Sequence, residues 1–147
     1  MKLDEILAAH LLWLRGDESG NQADFSGMNL DGFDFKGLNL SRANFTKTNL
    51  KGADFSGVNC DRALFCYANL SEARLVKGDF YWADFLGAKL TKANARKGCF
   101  KHARFVNADL TEADFFRANL IHARTKNAVL DQVNLRKACI YFTNLQQ

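Results

Sequence analysis

The 147-residue sequence predicts an all-β solenoid, a coil of short parallel sides, and three observations carry that prediction. A large apolar residue recurs at every fifth position from Phe25 to Leu145, interrupted only by Cys60, Ala95 and Thr125. The residue two before each centre is small, Ala in sixteen of twenty-five units, and the residue one before is Asn or Asp in seventeen. The centres also repeat in kind every twenty residues: Phe25, Phe45, Phe65, Phe85 and Phe105 form one series, and Leu30, Leu50, Leu70, Leu90, Leu110 and Leu130 another. A five-residue period fits neither a helix at about 3.6 residues nor a strand at about 2, so each unit reads as one side of a four-sided coil. One large and one small residue of each unit point inward, and the other three face water.

Residues 1–22 lie outside the repeat and read as a capping helix with its connector. Leu3, Ile6, Leu7, Leu11 and Leu14 fall on one helical stripe, with His10 among them. Asp4 and Glu5 suit the positive end of a helix, Arg15 suits the opposite end, and Gly16 is a natural stop. Asp17 to Gln22 form a polar connector. A membrane anchor needs about 20 apolar residues, and a signal peptide needs a basic start and a small-residue cleavage site. This stretch has neither. Trp13 lies off the stripe, free to pack on the first coil or to meet a partner.

Residues 23–147 are the repeat domain of twenty-five units. Units such as Ala53-Asp54-Phe55-Ser56-Gly57, Ala68-Asn69-Leu70-Ser71-Glu72 and Ala118-Asn119-Leu120-Ile121-His122 resemble the pentapeptide-repeat family, whose pattern is Ala-(Asp/Asn)-(Leu/Phe)-X-X. The resemblance implies a right-handed quadrilateral parallel β-helix with one unit per side and an N-terminal α-helical cap. Twenty-five units then give about six coils and a rod roughly 30 Å long at the spacing of neighbouring strands. Backbone pairing runs from coil to coil, which leaves edges only at the ends. The repeat continues to Gln147, so the expectation at that end is an open edge that frays or pairs end to end with a second copy.

Composition narrows the function. Proline is absent, which suits an unbroken ladder of backbone hydrogen bonds. The formal net charge is +4, and the repeat carries 18 basic against 12 acidic residues. Cys60 is a core position and Cys66 a corner. Cys99 and Cys139 share a column two coils apart, ~9.6 Å, which exceeds the roughly 7 Å reach of a disulfide. With no signal peptide, a reducing cytoplasm is the expected compartment.

A twenty-residue coil also lines up outward positions. The corner after the fourth side carries Tyr81 with Trp82, Lys101 with His102, Ile121 with His122 and Tyr141 with Phe142, above Arg42 and Arg62. Exposed apolar clusters rich in Tyr, Trp, Phe and Arg mark interaction sites, so this is the candidate interaction edge. The competing reading is that these side chains stack on one another and shield the backbone. The corner after the third side carries Lys77, Lys97, Arg117 and Lys137, with Arg96, Phe116 and Arg136 alongside. Like charges ~5 Å apart repel by about 1 kcal/mol in water before screening, so this basic column is either a solvated face or a surface for an acidic partner. Asp79 is near enough to offset part of the repulsion. Glu72, Lys92 and Glu112 alternate in sign and read as structural. Residues 85–108 hold six basic residues and no acid, but they wrap all sides, a girdle rather than a duplex-binding groove.

Chemistry finds no foothold. His102, His122 and Cys99 lack a fourth metal ligand. Ser26, Ser41, Ser56 and Ser71 sit at exposed corners away from all three histidines. Gly27, Gly32, Gly37, Gly52 and Gly57 follow the repeat at tight corners and form no phosphate-binding loop. The recurrent Asp and Asn suit hydrogen bonding to nearby backbone. The expectation is a non-catalytic rod that binds another protein, with no cofactor, small-molecule substrate or membrane. The resemblance agrees: family members are largely non-enzymatic, and some from cyanobacteria regulate differentiation through protein contacts. Others imitate the DNA duplex and bind topoisomerase, using an acidic rod and a C-terminal helix. The basic rod here, which runs in repeat to its last residue, puts that reading second. Direct nucleic-acid binding through the basic column stands third.

Overall fold

The repeat works because one unit satisfies all five of its own amides. In the computed structural model, which describes residues 2–143, the unit Asn44–Thr48 shows how. The Asn44 amide donates to the Ala23 carbonyl of the coil below (2.9 Å), and those of Phe45 and Lys47 donate to Leu64 (2.7 Å) and Cys66 (2.9 Å) of the coil above. The Thr48 amide closes the turn onto the Phe45 carbonyl at 3.1 Å. Only the Thr46 amide lacks a backbone acceptor, and the Asn44 side chain supplies one at 3.0 Å. Buried amides must be paired, and this accounts for Asn or Asp before so many centres. Asp24, Asp54, Asn69 and Asp109 make the same bond two residues on. The Asn side chains also join coils, as where the Asn49 amide nitrogen donates to Asn29 Oδ1 at 2.7 Å.

Twenty parallel bridges, each between residues twenty apart, run from Asp24↔Asn44 to Asn119↔Cys139. The repeat therefore climbs one coil per twenty residues, with four faces centred on the columns of Phe25, Leu30, Phe35 and Leu40. Each face contributes a single bridging residue, because a turn begins at every centre; no continuous strand forms among the described residues. Every corner from Gly27 to Phe142 has φ between 54° and 69° at its third residue, and only six of these residues are Gly. For other residues that conformation costs roughly 1–2 kcal/mol. Ladder bonds on either side, such as Arg42 N–H to Asp61 O at 2.7 Å, hold it in place.

The core stacks like on like. Phe45 over Phe65, Phe65 over Phe85 and Phe85 over Phe105 all have ring centroids 4.9 Å apart and planes within 7°. The two mixed columns complement each other. Where face three holds Phe35, Phe55 or Phe115, face four holds Leu40, Cys60 or Leu120; where face four holds Phe80 or Phe100, face three holds Leu75 or Ala95. Each of these coils thus buries two Phe, one always on face one. Thr48 occupies a small inward position by donating its hydroxyl to the Phe25 carbonyl at 2.8 Å.

Helix α1 (Leu3–Leu14) precedes the coil, and Glu5 accepts the Lys2 amide at its start (3.2 Å). Ile6 and His10 are its buried residues, and Leu3 and Leu7 pack on the core. Leu11, expected on the buried stripe, is instead 46% exposed, since the helix meets the coil along a narrow strip. The connector folds back across the helix: the Asn21 amide donates to Ala9 O (3.0 Å), and a Cβ on Gly20 would fall 2.1 Å from the Trp13 nitrogen. Trp13 stacks on His10 at 5.5 Å. His10 Nδ1 accepts the Ala23 amide of the first coil at 3.0 Å. On that coil the small position holds Met28, Phe33 and Leu38, which pack on the same core as Leu3 and Leu7. The expected open edge and end-to-end pairing fall on 144–147, outside the described residues.

Candidate interaction surface

Left-handed corners place side chains of successive coils directly over one another, and at the fourth corner this builds a column of rings. Trp82 stacks on His102 (4.6 Å, 6°), His102 on His122 (4.9 Å, 9°) and His122 on Phe142 (5.0 Å, 10°). Tyr81 meets Trp82 and His102 edge to face at 6.3 and 5.6 Å. Such pairs contribute about 0.5–1.5 kcal/mol each beyond their burial. The candidate edge and the self-shielding stack are therefore one object: the rings cover each other's faces and present their edges. Much stays open, with Trp82 51%, Tyr141 72% and Phe142 82% exposed. Lys101 and Ile121 lie half-buried beside the column. The His102 pKa is lowered, first by desolvation and then by the charges of His122 and Lys101.

The third corner separates into two kinds of cation. Arg96 pairs with Asp114 at 2.9 Å and lies 4.6 Å from the Phe116 ring centre. Arg117 and Lys137 approach the same ring at 5.3 and 5.8 Å. Lys77, Lys97, Arg117, Arg136 and Lys137 have no carboxylate within ion-pair distance among the described residues. Asp79 forms no ion pair with them; its carboxylate accepts the Tyr81 amide at 3.1 Å. Several charges elsewhere are paired. Asp54 takes Lys36 (3.2 Å) and Arg74 (3.1 Å), and Asp84 takes Arg104. Lys92 pairs with Glu112 at 3.7 Å, while Glu72 pairs with Lys51 at 3.7 Å and not with Lys92. Residues 23–82 carry seven acids and seven bases, whereas 83–147 carry five acids and eleven bases.

Two placements differ from the sequence reading. Ser71, expected at an exposed corner, is buried and bonds Asn69 (2.7 Å) and Thr91 (3.1 Å). Cys66 is half-buried; burial and the neighbouring Asp84 raise its thiol pKa. All four cysteines are free. Among the described residues no three His, Cys, Asp or Glu converge on a metal position, and no helix is long and apolar enough to cross a membrane. Tyr67 over Gly87, beside exposed Leu64, is an apolar feature that sequence columns did not flag; a Cβ on Gly87 would fall 2.6 Å from that ring.

Fold and surface together define a β-solenoid repeat protein. The family model for pentapeptide repeats matches in eight copies, over residues 21–57, 44–80, 53–94, 79–112 and 113–147, and the chain belongs to that family. Proteins of this family are generally non-enzymatic structural or interaction modules. No curated protein sequence matches the chain. Among solved structures it is similar to HetL, a pentapeptide repeat protein involved in heterocyst differentiation regulation from the cyanobacterium Nostoc sp. strain PCC 7120. That likeness has a TM-score of 0.70 and 22% identity, over 82% of this chain and 65% of HetL. It is also similar to Rfr23 from the cyanobacterium Cyanothece 51142 (TM-score 0.55, 21% identity, 98% and 97% of the two chains). A third likeness is to QnrB1, a plasmid-mediated fluoroquinolone resistance protein (TM-score 0.53, 20% identity, 82% and 71%). At these identities the likeness establishes the fold, a right-handed quadrilateral β-helix.

Proposed function

We propose that this protein is a non-catalytic, cytoplasmic interaction module. Residues 1–22 cap a rod of about six coils formed by 23–147, and the rod presents its fourth corner to a partner protein. The observation that carries this reading is the column Trp82–His102–His122–Phe142, with Tyr81 and Tyr141 beside it: a large aromatic surface still half open to water. A stacked coil holds such a surface preorganised, so binding costs little ordering entropy. The regulatory role of HetL is consistent with a protein partner. A topoisomerase-binding role like that proposed for duplex mimics is disfavoured by the eleven bases against five acids in the C-terminal half.

The test is a pull-down from lysate with the parent chain and with Trp82→Ala plus Tyr141→Ala. A partner retained by the parent and lost by the variant, at unchanged circular dichroism, supports the reading. Equal recovery by both assigns binding elsewhere.

A further inference from the structure

Face four runs between the two corners just described, and its walls are unlike. On one side stands the basic column Lys77, Lys97, Arg117 and Lys137, which has no carboxylate within ion-pair distance among the described residues, Arg117 and Lys137 lying near the Phe116 ring. On the other stand Tyr81, Ile121 and Tyr141, broken only by Lys101. The floor between them is small and uncharged at Cys99 and Asn119. Asp79 bounds it at the N-terminal end, with its carboxylate turned to the Tyr81 amide.

We propose that face four is a docking track for an extended peptide segment of a partner protein in which acidic and apolar residues alternate. This deepens the interaction reading above and rests on it. In an extended chain successive side chains point to opposite sides, and same-side residues recur about every 7 Å. A segment laid along the rod therefore turns one set of side chains to the cations and the other to the aromatic wall. From Lys77 to Lys137 is three coil steps, about 14 Å, enough for four or five extended residues. The flexible Lys and Arg stems absorb the mismatch between the two repeats. Charge complementarity selects the acidic half of the pattern, because carboxylates would relieve a repulsion the rod leaves unrelieved, as Asp54 and Asp84 do elsewhere. Ring spacing argues against single-stranded nucleic acid: centroids 4.6–5.0 Å apart leave no slot for a base between them.

The probe is a short labelled peptide alternating Glu and Leu, compared with an isomer in which all Glu precede all Leu. Both are titrated against the full chain by fluorescence anisotropy at low and physiological salt. The alternating peptide is expected to bind at least about tenfold more tightly, and Lys97→Glu with Arg117→Glu to remove most of that advantage. If the charge-reversed chain melts early, Lys97→Gln with Arg117→Gln replaces it. Equal binding of the isomers, tighter binding of a single-stranded oligonucleotide, or an unaffected charge variant overturns the track. Should the isomers bind alike while Trp82→Ala with Tyr141→Ala still releases the lysate partner, the track falls and the interaction edge stands. If that variant keeps its partner, the edge falls instead.

Discussion

A Cβ placed on Gly98 falls 2.6 Å from Cε2 of Phe100, and one on Gly78 falls 2.5 Å from Cε2 of Phe80. Face one tolerates Ala63 before Phe65 and Ala83 before Phe85, so the requirement belongs to the ring orientation of face four. Gly98→Ala should destabilise the protein by about 1–3 kcal/mol through overpacking. Adding Phe100→Leu should relieve the clash, as Leu120 allows Ala118 one coil on. A double-mutant cycle by urea denaturation checks this: the two changes must couple, and simple additivity would refute the pairing. The small character of positions 78 and 98 was legible in the sequence. Why they hold Gly and not Ala was not, because it depends on a torsion no residue pattern encodes. Ser71 is similar: its place in the corner was readable, but its burial depends on Asn69 and Thr91 closing over the hydroxyl.

At the scale of the element, α1 meets the coil through one titratable group. Burial lowers the His10 pKa, the Ser41 backbone opposes this more weakly, and Nε2 makes no hydrogen bond of normal geometry. Above the ordinary histidine value of 6.5 both folded and unfolded chains hold His10 neutral, and Nδ1 accepts the Ala23 amide. As pH falls through 6.5 the unfolded chain takes up a proton that the folded chain resists, so this contribution to stability declines until the lowered folded-state pKa is reached. Tm should fall between neutral and mildly acidic pH in the parent, and by less in His10→Gln, whose amide oxygen can still accept the Ala23 bond. Parallel curves would remove His10 from the linkage. The stripe of α1 was readable from spacing, His10 included. Its width was not: Leu11 matches the pattern and still faces water, because the contact with the coil centres on Ile6 and His10, with Leu3 and Leu7 beside them.

Over the whole molecule, register is the unit of design. Removing residues 63–82 takes out one lap and brings Ala83 after Arg62, with Phe85 over Phe45. Removing only 63–67 turns every later face by one side and puts Phe85 on face four behind Ala83. The first deletion should melt cooperatively, and the second at least about 5 °C lower than the first, measured by circular dichroism. A reversed order would mean the faces are interchangeable. The columns were open to reading because a period of twenty survives in one dimension. The contacts across columns were not: Arg96 reads as one more cation in a basic group until Asp114, eighteen residues on, is found beneath it.

The lengthwise imbalance of charge gives the rod a direction. A neutral front half and a strongly cationic rear half amount to a permanent dipole along the axis, and a polyanionic body approaching from a distance feels a torque before it feels any shape. Encounters would be oriented rear end first, quickened in dilute buffer and blunted as added electrolyte shortens the reach of the field.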